Sequence, residues 1–269
     1  MLQAIDPQRV YRDFQKKLKL DEHVIALSMA LNETLLQRLA ILNKAPETIV
    51  SLIAGPSILT QALRNRYPQA TLTEIDYTLL QVEKKPLPLD VHSVDLVFCP
   101  MVLHWCVAPE LLLQDIQRIL KPGGVCLFSV LGPDTLKELR QALLSLSAKP
   151  YLPTFTDMHH WGDLLHRLKF ANPVVDVDYF NVYYNNFEQL MRKLRTQSAI
   201  YFSQEVNKGL ITPRQWQALE QAYEAHRDEQ GLRITVEMIY GIAFGPAIKP
   251  EHEIQETSIP IQKVRRKSF

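Results

Sequence analysis

Residues 94–140 constrain the fold of this chain more tightly than any other segment. They begin with Val94–Cys99, a continuous apolar run of the kind found in a parallel strand that is buried on both faces. Leu111–Leu120 then has the spacing of an amphipathic helix, Lys121-Pro122-Gly123-Gly124 ends that helix, and Val125–Val130 is a second buried run. A strand, a helix and another strand in this order predict a right-handed crossover within a parallel sheet.

The same alternation of strands and helices extends beyond this segment on both sides. Thr48–Ile53 and Thr71–Asp76 are short β-branched runs separated by a helical pattern. Apolar residues at three- and four-residue steps from Val24 to Leu42 predict an amphipathic helix packed on the domain, and Ile234–Tyr240 predicts a closing strand. The expected fold class is therefore α/β, with a doubly wound, mostly parallel sheet, N-terminal helices and a C-terminal accessory region.

Length and composition favour one domain without an obvious charged partner. The 269 residues, 46% of them hydrophobic, are enough for a sizeable core. We expect an N-terminal helical segment over residues 1–45, the main domain over 46–249 and a disordered polar tail over 250–269. A net charge of +1 provides no overall field for binding nucleic acid or an anionic membrane, so neither is expected as a partner.

The cysteines and the hydropathy pattern predict a cytoplasmic protein. Cys99, Cys106 and Cys126 lie in or beside apolar runs and lack the CxxC spacing of zinc or redox sites, so they are predicted to be core thiols. No stretch approaches the roughly 18 apolar residues of a membrane span, and residues 1–22 lack the apolar region of a signal peptide.

Four motifs give the chain a specific family resemblance: GPDTLKELR at 132–140, TDMH at 156–159, MRKLR at 191–195 and YGIAFGP at 240–246. Together with the KPGG turn, they resemble the malonyl-acyl-carrier-protein O-methyltransferases of biotin synthesis. The resemblance implies a class I methyltransferase fold, S-adenosylmethionine as cofactor, and a malonyl thioester on an acyl carrier protein as partner and substrate. A looser resemblance extends to complex I assembly factors, one branch of which is associated with arginine hydroxylation.

The resemblance also implies which residues would bind the cofactor: Ser51, Gly55, Asp76 and Glu83. Asp76, at the end of its strand, would accept hydrogen bonds from the ribose hydroxyls. Glu83 would meet the adenine, in a stretch between Asp76 and Asp95 that is shorter than in the family. No catalytic side chain is assigned, because an ionised carboxylate needs no general base.

The predicted cofactor loop departs from the family pattern. In the family, the first strand ends in a motif like DLGCGTG, whose glycines let the main chain approach the cofactor. Residues 51–57 read SLIAGPS here, so Gly55 is the one glycine retained, while Ile53 adds a branched side chain and Pro56 lacks an N–H. We therefore expect weakened cofactor binding, which leaves two alternatives: an enzyme of this family, or a non-catalytic paralogue that serves as a binding or assembly module.

On the substrate side, the resemblance points to Arg140 and His159. Arg140 would hold a carboxylate through its two parallel N–H groups, as guanidinium groups do. Thr135 and Glu138 have the spacing of a capping box at the start of the same helix. His159 belongs to the Asp-Met-His-His run at 157–160, which lacks a convincing further ligand, so no metal site is predicted.

Overall fold

The computed structural model describes residues 8, 22–42, 45–53, 59–78, 80, 85–146, 152, 154–196 and 212–246. Strands and helices alternate through the first half, and two long antiparallel strands follow. In chain order the elements are α1 (Glu22–Gln37), β1 (Thr48–Ile53), α2 (Leu59–Arg66), β2 (Thr71–Asp76), β3 (Val94–Pro100), α3 (Pro109–Ile119), β4 (Leu120–Leu131), α4 (Lys137–Ser145), α5 (Met158–Arg167), β5 (Ala171–Tyr184), α6 (Phe187–Thr196), α7 (Pro213–Tyr223), β6 (Arg227–Asp228) and β7 (Gly231–Phe244).

One seven-stranded sheet organises the described part of the chain. Its order is β2-β1-β3-β4-β7-β5, with β6 paired to β7. The pairs among β1, β2, β3 and β4 are parallel, whereas β7 is antiparallel to both β4 and β5. The predicted α/β class with a doubly wound, mostly parallel sheet is confirmed.

The central strands of the sheet are buried on both faces, and because successive strand residues point to opposite sides, each strand contributes side chains to two cores. On β3, Leu96 and Phe98 pack into the core that contains the leucines of α1, while Val97 and Cys99 pack into the core that contains α3. The three cysteines are buried and free, as predicted for core thiols.

The strand after the KPGG turn begins earlier than predicted. Val94 pairs with Leu120 and the next registered pair joins Leu96 to Val125, so the intervening residues form a bulge inside β4. Gly123 adopts a φ of 76° there, a left-handed conformation that glycine takes without steric penalty. The KPGG segment therefore ends the helix at Ile119 and also belongs to the strand.

The C-terminal half contains elements that the sequence patterns did not predict. Strand β5 pairs along its whole length with β7 but occupies the edge of the sheet, so half-buried and exposed residues such as Asp176 and Asp178 interrupt its apolar pattern. Helix α5 was also missed. The residue pattern over Thr212–Asp228 favours a helix throughout, but α7 ends at Tyr223 and Arg227–Asp228 form β6.

Helix α1 and the 3-10 turn that follows it, Arg38–Ile41, are each bonded to the sheet. The Tyr240 hydroxyl donates to the Leu31 carbonyl over 2.6 Å, and Arg38 Nη2 lies 2.7 and 2.6 Å from the two carboxylate oxygens of Asp176. The predicted domain boundary at residue 45 stays a prediction, and the expected tail over 250–269 lies outside the described residues.

Candidate active site

The carboxyl ends of the parallel strands form one edge of the sheet, the edge at which α/β proteins of this topology bind ligands. Ile53 at the end of β1 is in register with Asp76 at the end of β2, and Pro100 of β3 is in register with Ser129 of β4. Three strand spacings of about 4.8 Å separate β2 from β4, which places the two ends of this edge roughly 14 Å apart.

Asp76 lies at the β2 end of this edge and is half-buried. Its Oδ1 accepts hydrogen bonds from the main-chain N–H of Thr78 over 2.9 Å and from the Thr78 hydroxyl over 2.5 Å. Within the described part of the chain, both of these donors bind Oδ1, and no protein group donates to Oδ2. The strand end therefore presents a carboxylate oxygen that can accept a hydroxyl from a ligand.

Ser51 is fully buried two residues before the end of β1. Its hydroxyl shares a hydrogen bond of 2.8 Å with the hydroxyl of Thr60, at the start of α2. This bond ties the strand to the helix on the far side of the predicted cofactor loop. Gly55 and Glu83 lie outside the described residues, as does Pro56, so the expected loss of cofactor affinity stays a prediction.

At the other end of the edge, the predicted capping box is wrong. Helix α4 begins at Lys137, and its N-cap residue is Leu136, which has no side-chain capping bond. The Thr135 hydroxyl donates to the Glu237 carbonyl over 3.2 Å instead, and Glu138 binds the N–H and the hydroxyl of Thr235 over 2.9 and 2.5 Å. Both side chains face the sheet because β7 offers polar main-chain groups that a free helix end would not meet.

Arg140 lies on the first full turn of α4 and is half-buried. Its Nη2 is 3.5 Å from the Thr135 carbonyl oxygen. Burial lowers the pKa of the Arg140 guanidinium, and nearby Asp134 acts in the opposite direction. A partly desolvated cation at the carboxyl edge of the sheet is a suitable group for binding an anionic substrate.

His159 is not close-packed in a pocket; its side chain is 81% exposed. Asp157 is the N-cap of α5, where its Oδ1 accepts the His159 N–H over 2.8 Å and lies 2.7 Å from His159 Nδ1. These contacts show that Asp157 and His159 together cap the start of the helix. No cluster of three potential metal ligands occurs in the described ranges, and no helix among them could cross a membrane.

Glu237 is a buried carboxylate at this edge that sequence reasoning missed. Its Oε2 accepts the main-chain N–H of Asp134 over 2.5 Å, and it is 5% exposed. Burial raises the pKa of Glu237, the bond from Asp134 N–H lowers it, and the negative charges of Asp134 and Asp157 raise it further against the opposing effect of Lys137. The available signal was one acidic residue inside the apolar run Ile234–Tyr240.

The order of the strands and the polar carboxyl edge of the sheet are those of a class I methyltransferase fold. The model of a methyltransferase domain matches residues 37–128. The crystal structure of a candidate methyltransferase from Bacillus halodurans has a TM-score of 0.52 at 14% identity, covering 80% of this chain and 98% of that one.

Curated relatives then place the chain within the class. Malonyl-[acyl-carrier protein] O-methyltransferase 1 of Coxiella burnetii is 33% identical over 277 residues, covering 98% of both chains. The malonyl-[acyl-carrier protein] O-methyltransferase of Laribacter hongkongensis is 30% identical and covers 93% of both. The chain belongs to the malonyl-[acyl-carrier protein] O-methyltransferase family.

Proposed function

We propose that this protein transfers a methyl group from S-adenosylmethionine to the free carboxylate of a malonyl thioester on an acyl carrier protein. The observation that carries the proposal is that one edge of the sheet has an acceptor carboxylate, Asp76, at one end and a half-buried cation, Arg140, at the other. Full-length similarity to relatives named for this reaction supports it. The product would serve biotin synthesis, as the family resemblance implies.

The acceptor carboxylate at the β2 end fits a nucleoside. A ribose has two neighbouring hydroxyls that need acceptors, and the Asp76 carboxylate provides them at the strand end. Gly55 would allow the main chain to approach, and Glu83 would lie by the adenine. Ser51 would contribute through the placement of β1, since its hydroxyl is bonded to Thr60. When bound, S-adenosylmethionine supplies an electrophilic methyl group on a positively charged sulfur.

Arg140 would bind and orient the malonyl carboxylate. A carboxylate has a pKa near 4 and is ionised at neutral pH, so this chain does not have to remove a proton. Its task is to hold one carboxylate oxygen in line with the methyl group and to exclude water, which contributes up to about 7–11 kcal/mol in favourable cases. His159, at the exposed start of α5, would meet the thioester arm as it enters.

We also propose that the protein works in the cytoplasm. The support is the three buried cysteines, which remain free thiols in the structure. Disulfides are rare in reducing compartments, so unpaired thiols are typical of a cytoplasmic protein.

The test is a methyl-transfer assay with the purified full chain, S-adenosylmethionine and malonyl-acyl carrier protein, read by mass spectrometry. We expect the malonyl group on the carrier protein to gain one methyl group, which fragmentation places on its carboxylate. Acetyl-acyl carrier protein is the control, because it has the thioester but no free carboxylate. Cooperatively folding protein that leaves the malonyl thioester unmethylated would reject the proposed function.

A further inference from the structure

Glu237 binds the segment before α4 through three separate groups. Its carboxylate accepts the Asp134 N–H over 2.5 Å, its carbonyl accepts the Gly132 N–H over 2.9 Å, and its own N–H donates to the Thr135 hydroxyl over 3.1 Å. No other residue in the described part of the chain has both its main chain and a buried carboxylate bonded to this segment. Residues 132–135 are thus placed by one residue of β7.

The turn held in this way is strained. Leu136 has φ 60° and ψ 30°, a left-handed conformation that costs an ordinary residue about 1–2 kcal/mol. Such a conformation persists where surrounding contacts determine it, and here Leu136 N–H also donates to the Thr235 carbonyl over 2.9 Å. Because the turn is strained, removing one of its bonds should let it relax to a different geometry.

Arg140 depends directly on this turn. Its main-chain N–H donates to the Leu136 carbonyl over 3.0 Å, and its side-chain Nη2 is 3.5 Å from the Thr135 carbonyl oxygen. Asp134, which Glu237 holds through its main chain, also attracts the guanidinium. A shift of residues 134–136 would therefore move both ends of the Arg140 side chain.

We propose that Glu237 is a positioning residue for the substrate: by fixing the turn at 132–136, it sets the place of the Arg140 guanidinium and hence of the malonyl carboxylate. This inference rests on the proposed function. Glu237 itself is buried beneath the turn and needs no contact with substrate. Glu138, bound to Thr235, secures the following helical turn in the same way.

The experiment compares Glu237→Ala, Glu237→Gln, Arg140→Ala and the double variant Glu237→Ala/Arg140→Ala in the full chain. For Glu237→Ala we expect the KM for malonyl-acyl carrier protein to rise about tenfold, the size of one lost hydrogen bond to a charged group. The kcat and the S-adenosylmethionine affinity should change less than about twofold. Glu237→Gln keeps an acceptor for Asp134 N–H, so its KM should stay nearer to wild type.

Asp95→Asn is the matched control. Asp95 binds main-chain N–H groups of Glu47 and Thr48 with a carboxylate oxygen, but at the opposite, amino edge of the sheet. We expect this variant to lose stability with an unchanged KM. In the Arg140→Ala background, Glu237→Ala should raise the KM no further, because the residue that it positions is gone.

An unchanged KM in Glu237→Ala, or additive effects in the double variant, would overturn the inference. Crystal structures of the wild type and Glu237→Ala supply a readout that does not need activity: we expect a displaced Arg140 guanidinium, and an unmoved one would also overturn it. A wild type without methyl transfer would instead reject the proposed function, and the two crystal structures would then decide the positioning role alone.

Discussion

Gly132→Ala should be strongly destabilising because the Glu237 side chain occupies the space beside the glycine. A Cβ at residue 132 would lie 2.3 Å from Cδ, 2.7 Å from Cγ and 2.7 Å from Oε1 of Glu237. Carbon atoms pack at about 3.5–4.0 Å, so the carboxylate has to leave its position. Gly132 is thus required by close approach, not by its backbone conformation.

The expected loss follows from what the displaced carboxylate leaves behind. The Asp134 N–H loses its acceptor, which costs about 1–3 kcal/mol for a buried donor. Forcing a methyl group into the packed edge costs about 1–3 kcal/mol more. Part of this is relieved as the turn shifts, so we expect the free energy of unfolding to fall by about 2–4 kcal/mol.

Urea denaturation followed by circular dichroism measures this change. Gly162→Ala is the control, since nothing lies within 4 Å of a Cβ built at that position in α5, and it should gain about 0.5–1 kcal/mol of stability from its helical propensity. In a Glu237→Ala background, Gly132→Ala should have little further effect. A Gly132→Ala protein within about 0.5 kcal/mol of wild type would refute the packing explanation.

Three further predictions concern charges. Burial raises the pKa of Glu237, so its ionisation opposes folding as pH rises. The free energy of unfolding of Glu237→Gln, measured relative to wild type by denaturation, should therefore be more favourable at pH 7 than at pH 4. An equal difference between the two proteins at both pH values would contradict this. Burial raises the pKa of Asp95 too, but hydrogen bonds from Lys121 and Thr48 outweigh it and lower that pKa. Asp95→Asn should therefore cost about 1–3 kcal/mol at pH 7, and the cost should shrink as the pH falls below the unfolded carboxyl's pKa and through the lowered pKa. A loss as large at pH 3 as at pH 7 would contradict this. Arg140→Lys should raise the KM for malonyl-acyl carrier protein about tenfold at constant cofactor affinity, since an ammonium cannot bind a carboxylate with two parallel bonds. Steady-state kinetics measure this KM, and an unchanged value would contradict the prediction.

The parallel half of the fold was predictable because its central strands are buried on both faces. Val94–Pro100 and Thr48–Ile53 read as apolar runs, and the helices between them have a clear apolar stripe. Edge strand β5 was not predictable in this way, since its half-exposed pattern of aromatic, acidic and amide residues resembles a loop. The place of β5 in the sheet follows from its pairing with β7, which lies between β4 and β5.

For the candidate site, the family resemblance pointed to Arg140 and Asp76, which stay predictions, and local rules misread the surroundings of Arg140. Thr135 and Glu138 fit a capping box by spacing, yet both bind β7 residues about a hundred positions away in sequence. Glu237 was missed for the same reason: its partner at Asp134 is brought close only by the antiparallel pairing of β4 and β7. Contacts between distant segments are invisible to patterns that span a few residues.

Isothermal titration of the full chain with S-adenosylmethionine tests most directly whether this sheet edge is a working cofactor site. We predict saturable binding at one site in the wild type. Asp76→Ala should weaken it about tenfold or more, because the ribose hydroxyls lose a charged acceptor. Asp90→Asn is the control and should bind as the wild type does, because Asp90 is an exposed carboxylate beside the amino ends of the strands, at the opposite edge of the sheet. Absence of binding by folded wild-type protein, or equal binding by Asp76→Ala, would contradict the account.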